Sequence, residues 1–150
     1  MAAQREGSRT VGRRARATRK HTLLDRADRL LIEAMGERDP RERFRAAYLA
    51  ALRGAGAVLA ITTASAPTRA KSRSAWVLMA RAAPEFVMWS DYFAGFSATR
   101  AALEAGISRD VTGAEADEFC LRVTAFLHDV EDLIGDESRL RPAAATDMSA

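Results

Sequence analysis

Arg122 and His128 are the residues best equipped to act on a phosphate. A histidine, with its ordinary pKa near neutrality, can take and return a hydroxyl proton. A guanidinium can stabilise the charge that builds on a pentacoordinate phosphorus. Together they could cleave RNA through its own 2′-hydroxyl. Six residues apart on a helix, they are separated by about 9 Å of rise and roughly 120° around the axis. They flank the apolar stripe of that helix on opposite sides, so one chain can hardly bring both to a single phosphate. The same helix of a second copy would have to supply one of them. A plain structural reading stands beside this one. Glu118–Arg122 and His128–Asp132 are i,i+4 pairs suited to an exposed flank, each worth a few tenths of a kcal/mol.

Other chemistry is thinly represented. Cys120 is the only cysteine, which excludes an internal disulfide and a thiolate cluster; its place on an apolar stripe predicts a small buried hydrophobe. The second histidine, His21, reads as a solvated residue where a helix begins. Two histidines so far apart do not make a structural zinc site. There is no glycine-rich phosphate cradle, no HExxH motif and no paired-carboxylate site, so neither metal nor cofactor is expected. Arg69, Lys71 and Arg73 lie in a polar loop, residues 65–73, and can engage nucleic-acid phosphates without reading sequence; a merely solvated loop is the alternative. Trp76, next to that loop, is a candidate for stacking on a base. Phe86, Trp89, Phe93 and Phe96 recur at near-heptad spacing and read as core or as a dimer seam, while Tyr92 falls off their stripe and is the aromatic most open to solvent.

The formal charge of +3 over 150 residues is unevenly spread. Residues 1–20 carry Arg5, Arg9, Arg13, Arg14, Arg16, Arg19 and Lys20 against Glu6 alone, a net of +6 that leaves −3 for the remainder. The basic pI of about 9.6 therefore belongs to the tail. As a nucleic-acid signal it applies to the tail and the 65–73 loop, not to the whole surface. No stretch approaches 18 apolar residues, the length a membrane span needs, and Arg13-Arg14 is followed by no hydrophobic region of a signal. The expectation is a cytoplasmic protein without membrane contact.

The elements that must position these residues are helical. Residues 1–21 lack hydrophobic periodicity and are expected as a disordered basic tail. Thr22-Leu-Leu-Asp25 has the spacing of a capping box, and Leu23, Leu24, Ala27, Leu30, Leu31, Ala34 and Met35 follow on one face up to Gly36. Asp39-Pro40-Arg41-Glu42 opens a second helix with the stripe Phe44, Tyr48, Leu52, Ala55, Leu59. Alanines and glycines flank that stripe, so a neighbour can approach closely and this helix should be the central one. Ser74 caps a short helix bearing Trp76. Pro84 ends it and opens a long helix to about Ala105, with Gly106 as its stop. Thr112-Gly-Ala-Glu115 is another capping box, and the last helix runs to Gly135 with Ala116, Phe119, Cys120, Val123, Leu127, Val130 and Ile134 on one face. Residues 136–150 are expected to be a second disordered tail. The predicted fold is all-α: an antiparallel up-down helical bundle of four long helices plus one short helix over residues 22–135.

Leu-Leu-Asp-Arg-Ala (23–27), Asp-Pro-Arg-Glu-Arg-Phe (39–44), Ser-Ala-Trp (74–76), Ala-Pro-Glu-Phe (83–86) and Glu-Ala-Asp-Glu-Phe (115–119) together resemble an actinobacterial, Streptomyces-type branch of the HEPN domain proteins, over about residues 22–135. The resemblance implies a four- or five-helix bundle, often dimeric, with RNA or nucleotide as partner. It also implies a metal-independent endoribonuclease mechanism in members that carry an arginine and a histidine four to six residues apart. Arg122-Val-Thr-Ala-Phe-Leu-His128 has that spacing, in the last helix. The alternative function is a non-catalytic interaction module that uses the bundle face to hold a helical partner protein.

Overall fold

The computed structural model describes residues 2–62, 74–107 and 110–140. Every regular element among them is helical: α1 (Ala2–Gly36), α2 (Pro40–Thr62), α3 (Ala75–Ala82), a single 3-10 turn (Pro84–Phe86), α4 (Val87–Ala94), α5 (Ser97–Glu104) and α6 (Gly113–Leu140). The chain is all-α, as its periodicity predicts. Three of the helices are long, however, where four were expected, because the segment after Pro84 is divided. At Gly95-Phe96 the chain makes tighter bonds, Phe96 N–H to Phe93 O among them, before α5 begins. Gly106 does stop α5 as expected. It adopts φ 71°, its N–H donates to Leu103 O and that of Ile107 to Ala102 O, a Schellman closure that L-residues with a Cβ enter at a cost.

Two expected boundaries move. The capping box at Thr22 is not used, because Thr22 lies inside α1, where its hydroxyl donates to Thr18 O at 2.7 Å. The helix begins at Ala2, so the segment 1–21, expected as a disordered tail, is helical from residue 2 onward. Alanine and arginine are good helix formers, and a helix packed further along can propagate into such a segment without an apolar face of its own. At the other end α6 continues through Gly135 to Leu140, into the expected C-terminal tail; residues 141–150 lie outside the described residues.

Two start signals act as read. The Asp39 carboxylate accepts the Arg41 N–H at 3.0 Å, although Glu42 turns to Arg45 (3.2 Å) and does not complete the box. At α6 the box is reciprocal: Thr112 N–H donates to Glu115 Oε2 at 2.9 Å and Glu115 N–H to Thr112 Oγ1 at 3.1 Å. Thr112→Ala is expected to cost about 1 kcal/mol of stability, read as a lower urea midpoint; an unchanged midpoint would mean that the box does not hold the start of α6.

α2 is the central helix and packs against α1, α3 and α6. Its alanines at 47, 50, 51, 55 and 57 are fully buried. A Cβ on Gly54 would lie 2.6 Å from Leu127 Cδ2 and 2.8 Å from Phe126 Cε1, so glycine is what lets α6 cross α2 so closely. By length and composition α2 is apolar enough to cross a membrane, contrary to the expectation that no stretch approaches that length; half of its apolar window, of mean hydropathy 1.4, is buried inside the bundle.

Arg43 locks one end of the bundle. Its Nε donates to Glu37 O at 2.9 Å, at the end of α1, and its Nη1 to Asp117 Oδ1 at 2.8 Å, near the start of α6. With its side chain only 15% exposed, this charge-assisted pair is stronger than an ordinary surface bridge. α2 and α6 therefore run in the same direction, from Arg43 and Asp117 toward Gly54 and Phe126, while the end of α1 meets the start of α6. Between the helices lies a continuous aromatic cluster. Phe93 and Phe126 are 5.0 Å apart, Trp76 and Phe93 4.7 Å, Phe44 and Phe119 4.4 Å.

Candidate functional site

The buried face of α6 is the predicted one, with Ala116, Phe119, Cys120, Val123, Leu127, Val130 and Ile134 all enclosed. Phe126, absent from the predicted stripe, is fully buried as well. The opposite face looks outward and carries both candidate residues. Arg122 Nε donates to Glu118 Oε1 at 3.0 Å, with both side chains 57% exposed. At that exposure the pair contributes a few tenths of a kcal/mol and leaves the guanidinium available. His128 is also exposed, and among the described residues it makes no hydrogen bond or ion pair. Of the two expected i,i+4 pairs, only the first is formed.

The two residues face different surroundings. Arg122 looks toward Tyr92, whose hydroxyl pKa is pushed up by burial, with Arg122 acting to lower it and Glu118 to raise it. Tyr92 is half-buried against Phe93 and Phe96 at 5.2 Å, not open to solvent as its position off the stripe predicted. Beside it runs a groove of about 550 Å³, with Phe44, Tyr92, Phe96 and Phe119 on its floor and Asp110, Glu115 and Glu118 along its edge.

His128 instead looks toward α1. The Asp28 carboxyl is pushed above its ordinary 3.8 by burial first, then by Glu131 and Asp25, with His128 acting to lower it. A carboxyl raised in the folded state contributes most below its unfolded pKa and loses that contribution as pH rises through the folded value. Asp28→Asn is therefore expected to raise the melting temperature at pH 7 and leave it unchanged at pH 3. A lower melting temperature at pH 7 would mean that Asp28 is held there by a favourable contact.

Arg122 and His128 are thus not brought together within one chain. Between them, at about 100° per residue, runs an outward strip formed by Leu121 and Ala125. Leu121 is 66% exposed, and Ile32 and Met35 on α1 are exposed too. Met35 was expected on the buried face of its helix.

Arg69, Lys71 and Arg73 lie outside the described residues. His21 is exposed within α1, not where a helix begins. Cys120 is buried, and burial pushes its thiol up, which leaves it a poor nucleophile. Trp76 is 2% exposed, and its indole N–H donates to Tyr48 Oη at 2.8 Å, so it cannot stack on a base. Among the described residues no group of three or more His, Cys, Asp or Glu is placed to hold a metal ion. Sequence reasoning missed Arg43 and Arg100, which depend on contacts between helices distant in sequence.

Compared with known families, residues 34–131 match the model of a HEPN-like family, HEPN_SAV_6107. The match takes in α2 to α5 and most of α6, including Arg122 and His128. No curated protein and no solved structure matches the chain.

Proposed function

Because the chain belongs to this HEPN-like family, we propose that two copies pair through the outward face of α6 and form a cytoplasmic, metal-independent endoribonuclease. The observation that carries this reading is the disposition of Arg122 and His128 on either side of the exposed Leu121–Ala125 strip. A closed two-fold interface applies the same patch twice. Two such strips laid together would cover Leu121 and bring Arg122 of one copy toward His128 of the other.

In such a site the His128 imidazole takes the proton of a 2′-hydroxyl as its oxygen attacks the adjacent phosphorus. Arg122 stabilises the added negative charge on the phosphorus-bound oxygens. The 5′-oxygen leaves and takes the proton that His128 has accepted, giving a 2′,3′-cyclic phosphate, a free 5′-hydroxyl and the restored imidazole. The aromatic-floored groove beside Arg122 suits an unpaired base, since single-stranded RNA is held by stacking on aromatic rings.

A second reading is favoured by the charge of the same helix. α6 carries eight carboxylates against two arginines, and Asp25, Glu131 and His128 all act on Asp28. Such a surface repels a polyanion and suits a helical partner protein held without catalysis. Mixed RNA incubated in EDTA with the wild type, Arg122→Ala and His128→Ala separates the two. Cleavage lost in both variants supports the ribonuclease. Absence of cleavage, or cleavage indifferent to both substitutions, leaves the interaction module.

A further inference from the structure

We propose that the groove between α2, α3 and α5, remote from the outward face of α6, binds a small organic oxyanion (a carboxylate or a phosphate monoester) on Arg100. The groove has a volume of about 350 Å³ and is lined by Tyr48, Leu52, Ser74, Trp76, Ser97 and Arg100, with Glu104 at its edge. Each of its hydroxyls has a proton it can turn toward a bound anion. Tyr48 Oη accepts the Trp76 indole N–H at 2.8 Å and lies 3.5 Å from Ser97 Oγ, where either hydroxyl can be the donor. Whichever of the two accepts in that contact keeps its own proton for the groove. Ser74 Oγ accepts the Val77 N–H at 3.3 Å, which leaves the Ser74 proton free in turn.

Arg100 supplies the charge. Its guanidinium lies 5.2 Å over the Tyr48 ring, which fixes its position by cation–π attraction. It is half-buried, and among the described residues it makes no hydrogen bond or ion pair. The single carboxylate of the lining is already taken: Arg45 holds both oxygens of Glu104 at 3.3 Å. The groove therefore offers hydroxyl donors and a guanidinium fork to an anion, with no free carboxylate to repel it. Leu52 and the indole give the carbon body of the ligand an apolar wall, the usual mixture in a small-molecule site.

The test titrates the full chain with benzoate, phenyl phosphate and neutral benzyl alcohol, followed by calorimetry and indole fluorescence. At least one anion should bind with a dissociation constant of about 1 mM or below, benzyl alcohol should not, and the tighter of the two anions identifies the headgroup. Arg100→Gln should weaken binding at least tenfold, Arg100→Lys less so, and His128→Ala not at all. Ser97→Ala, which keeps the guanidinium, should also weaken it and serves if Arg100→Gln does not fold. Failure of both anions to bind, equal binding of benzyl alcohol, or anion affinity unchanged in the Arg100 and Ser97 variants would overturn the proposal. Because His128 takes no part, loss of the ribonuclease reading would leave this result standing, and the reverse holds as well.

Discussion

Phe126→Ala is expected to remove about 3–5 kcal/mol of stability, a large part of the roughly 5–15 kcal/mol that holds a domain of this size together. The ring is fully buried and touches four others: Trp76 at 6.5 Å, Phe86 at 6.1 Å, Trp89 at 5.5 Å and Phe93 at 5.0 Å between centroids. Those neighbours come from α3, the 3-10 turn and α4, so truncation opens a cavity where the short helices are held to α6. The backbone of α2 at Gly54 forms another wall of that cavity. In the wild type Gly54→Ala trades about 1 kcal/mol of helix propensity against a collision with Phe126 and Leu127. In the Phe126→Ala background half of that collision is gone. A double-mutant cycle by urea denaturation should therefore show Gly54→Ala better tolerated there, with a coupling of about 1 kcal/mol. Additive effects, or a cost below about 1 kcal/mol for Phe126→Ala alone, would contradict this packing.

The same residue shows where sequence reading stops. Period 3.6 located seven buried positions of α6 correctly, but a stripe drawn for one contact surface leaves out a residue buried against a second. Leu127 and Phe126 both meet α2 at Gly54, but Phe126 also packs against α3 and α4, and only the tertiary arrangement widens the buried arc to include it. Start and stop signals were legible where their chemistry is local. Asp39, Ser74, Gly106 and the Thr112–Glu115 box act as their residue types dictate. They misled where local chemistry had a competitor. Thr22 and Asp25 have box spacing, but a threonine inside a continuous helix bonds back to the carbonyl four residues earlier. Gly135 has the type of a stop without the positive φ that would make it one.

The candidate site divides along the same line. The positions of Arg122 and His128 on an outward face follow from helical spacing. The approach of Asp28 to His128 does not, because it depends on how α1 lies against α6. Nor does the convergence of Tyr48, Trp76, Ser97 and Arg100, which three separate helices bring to one groove.

The largest functional effect is expected at the face of α6 proposed to pair. In EDTA, Arg122→Ala and His128→Ala should each lower RNA cleavage by at least about 100-fold, the scale for loss of a general base or a charge-stabilising donor. Both substitutions are at exposed positions, so the melting temperature should move little, which separates lost chemistry from lost folding. Leu121→Glu, placing a charge on the strip between them, should halve the mass seen by light scattering and abolish cleavage while the monomer stays folded. Retained cleavage by a Leu121→Glu monomer would mean that one chain suffices.

The shared site itself is tested most directly by mixing the two inactive variants. Each homodimer of Arg122→Ala or His128→Ala lacks one required group at both of its sites. A heterodimer instead gathers both defects into one site and leaves the other with an intact Arg122 and an intact His128. Random exchange of subunits should therefore restore roughly a quarter of the wild-type cleavage, in EDTA, growing in with the rate of exchange. A mixture that stays as inactive as its components, measured beside a wild type that cleaves, would contradict a site built from two copies of α6.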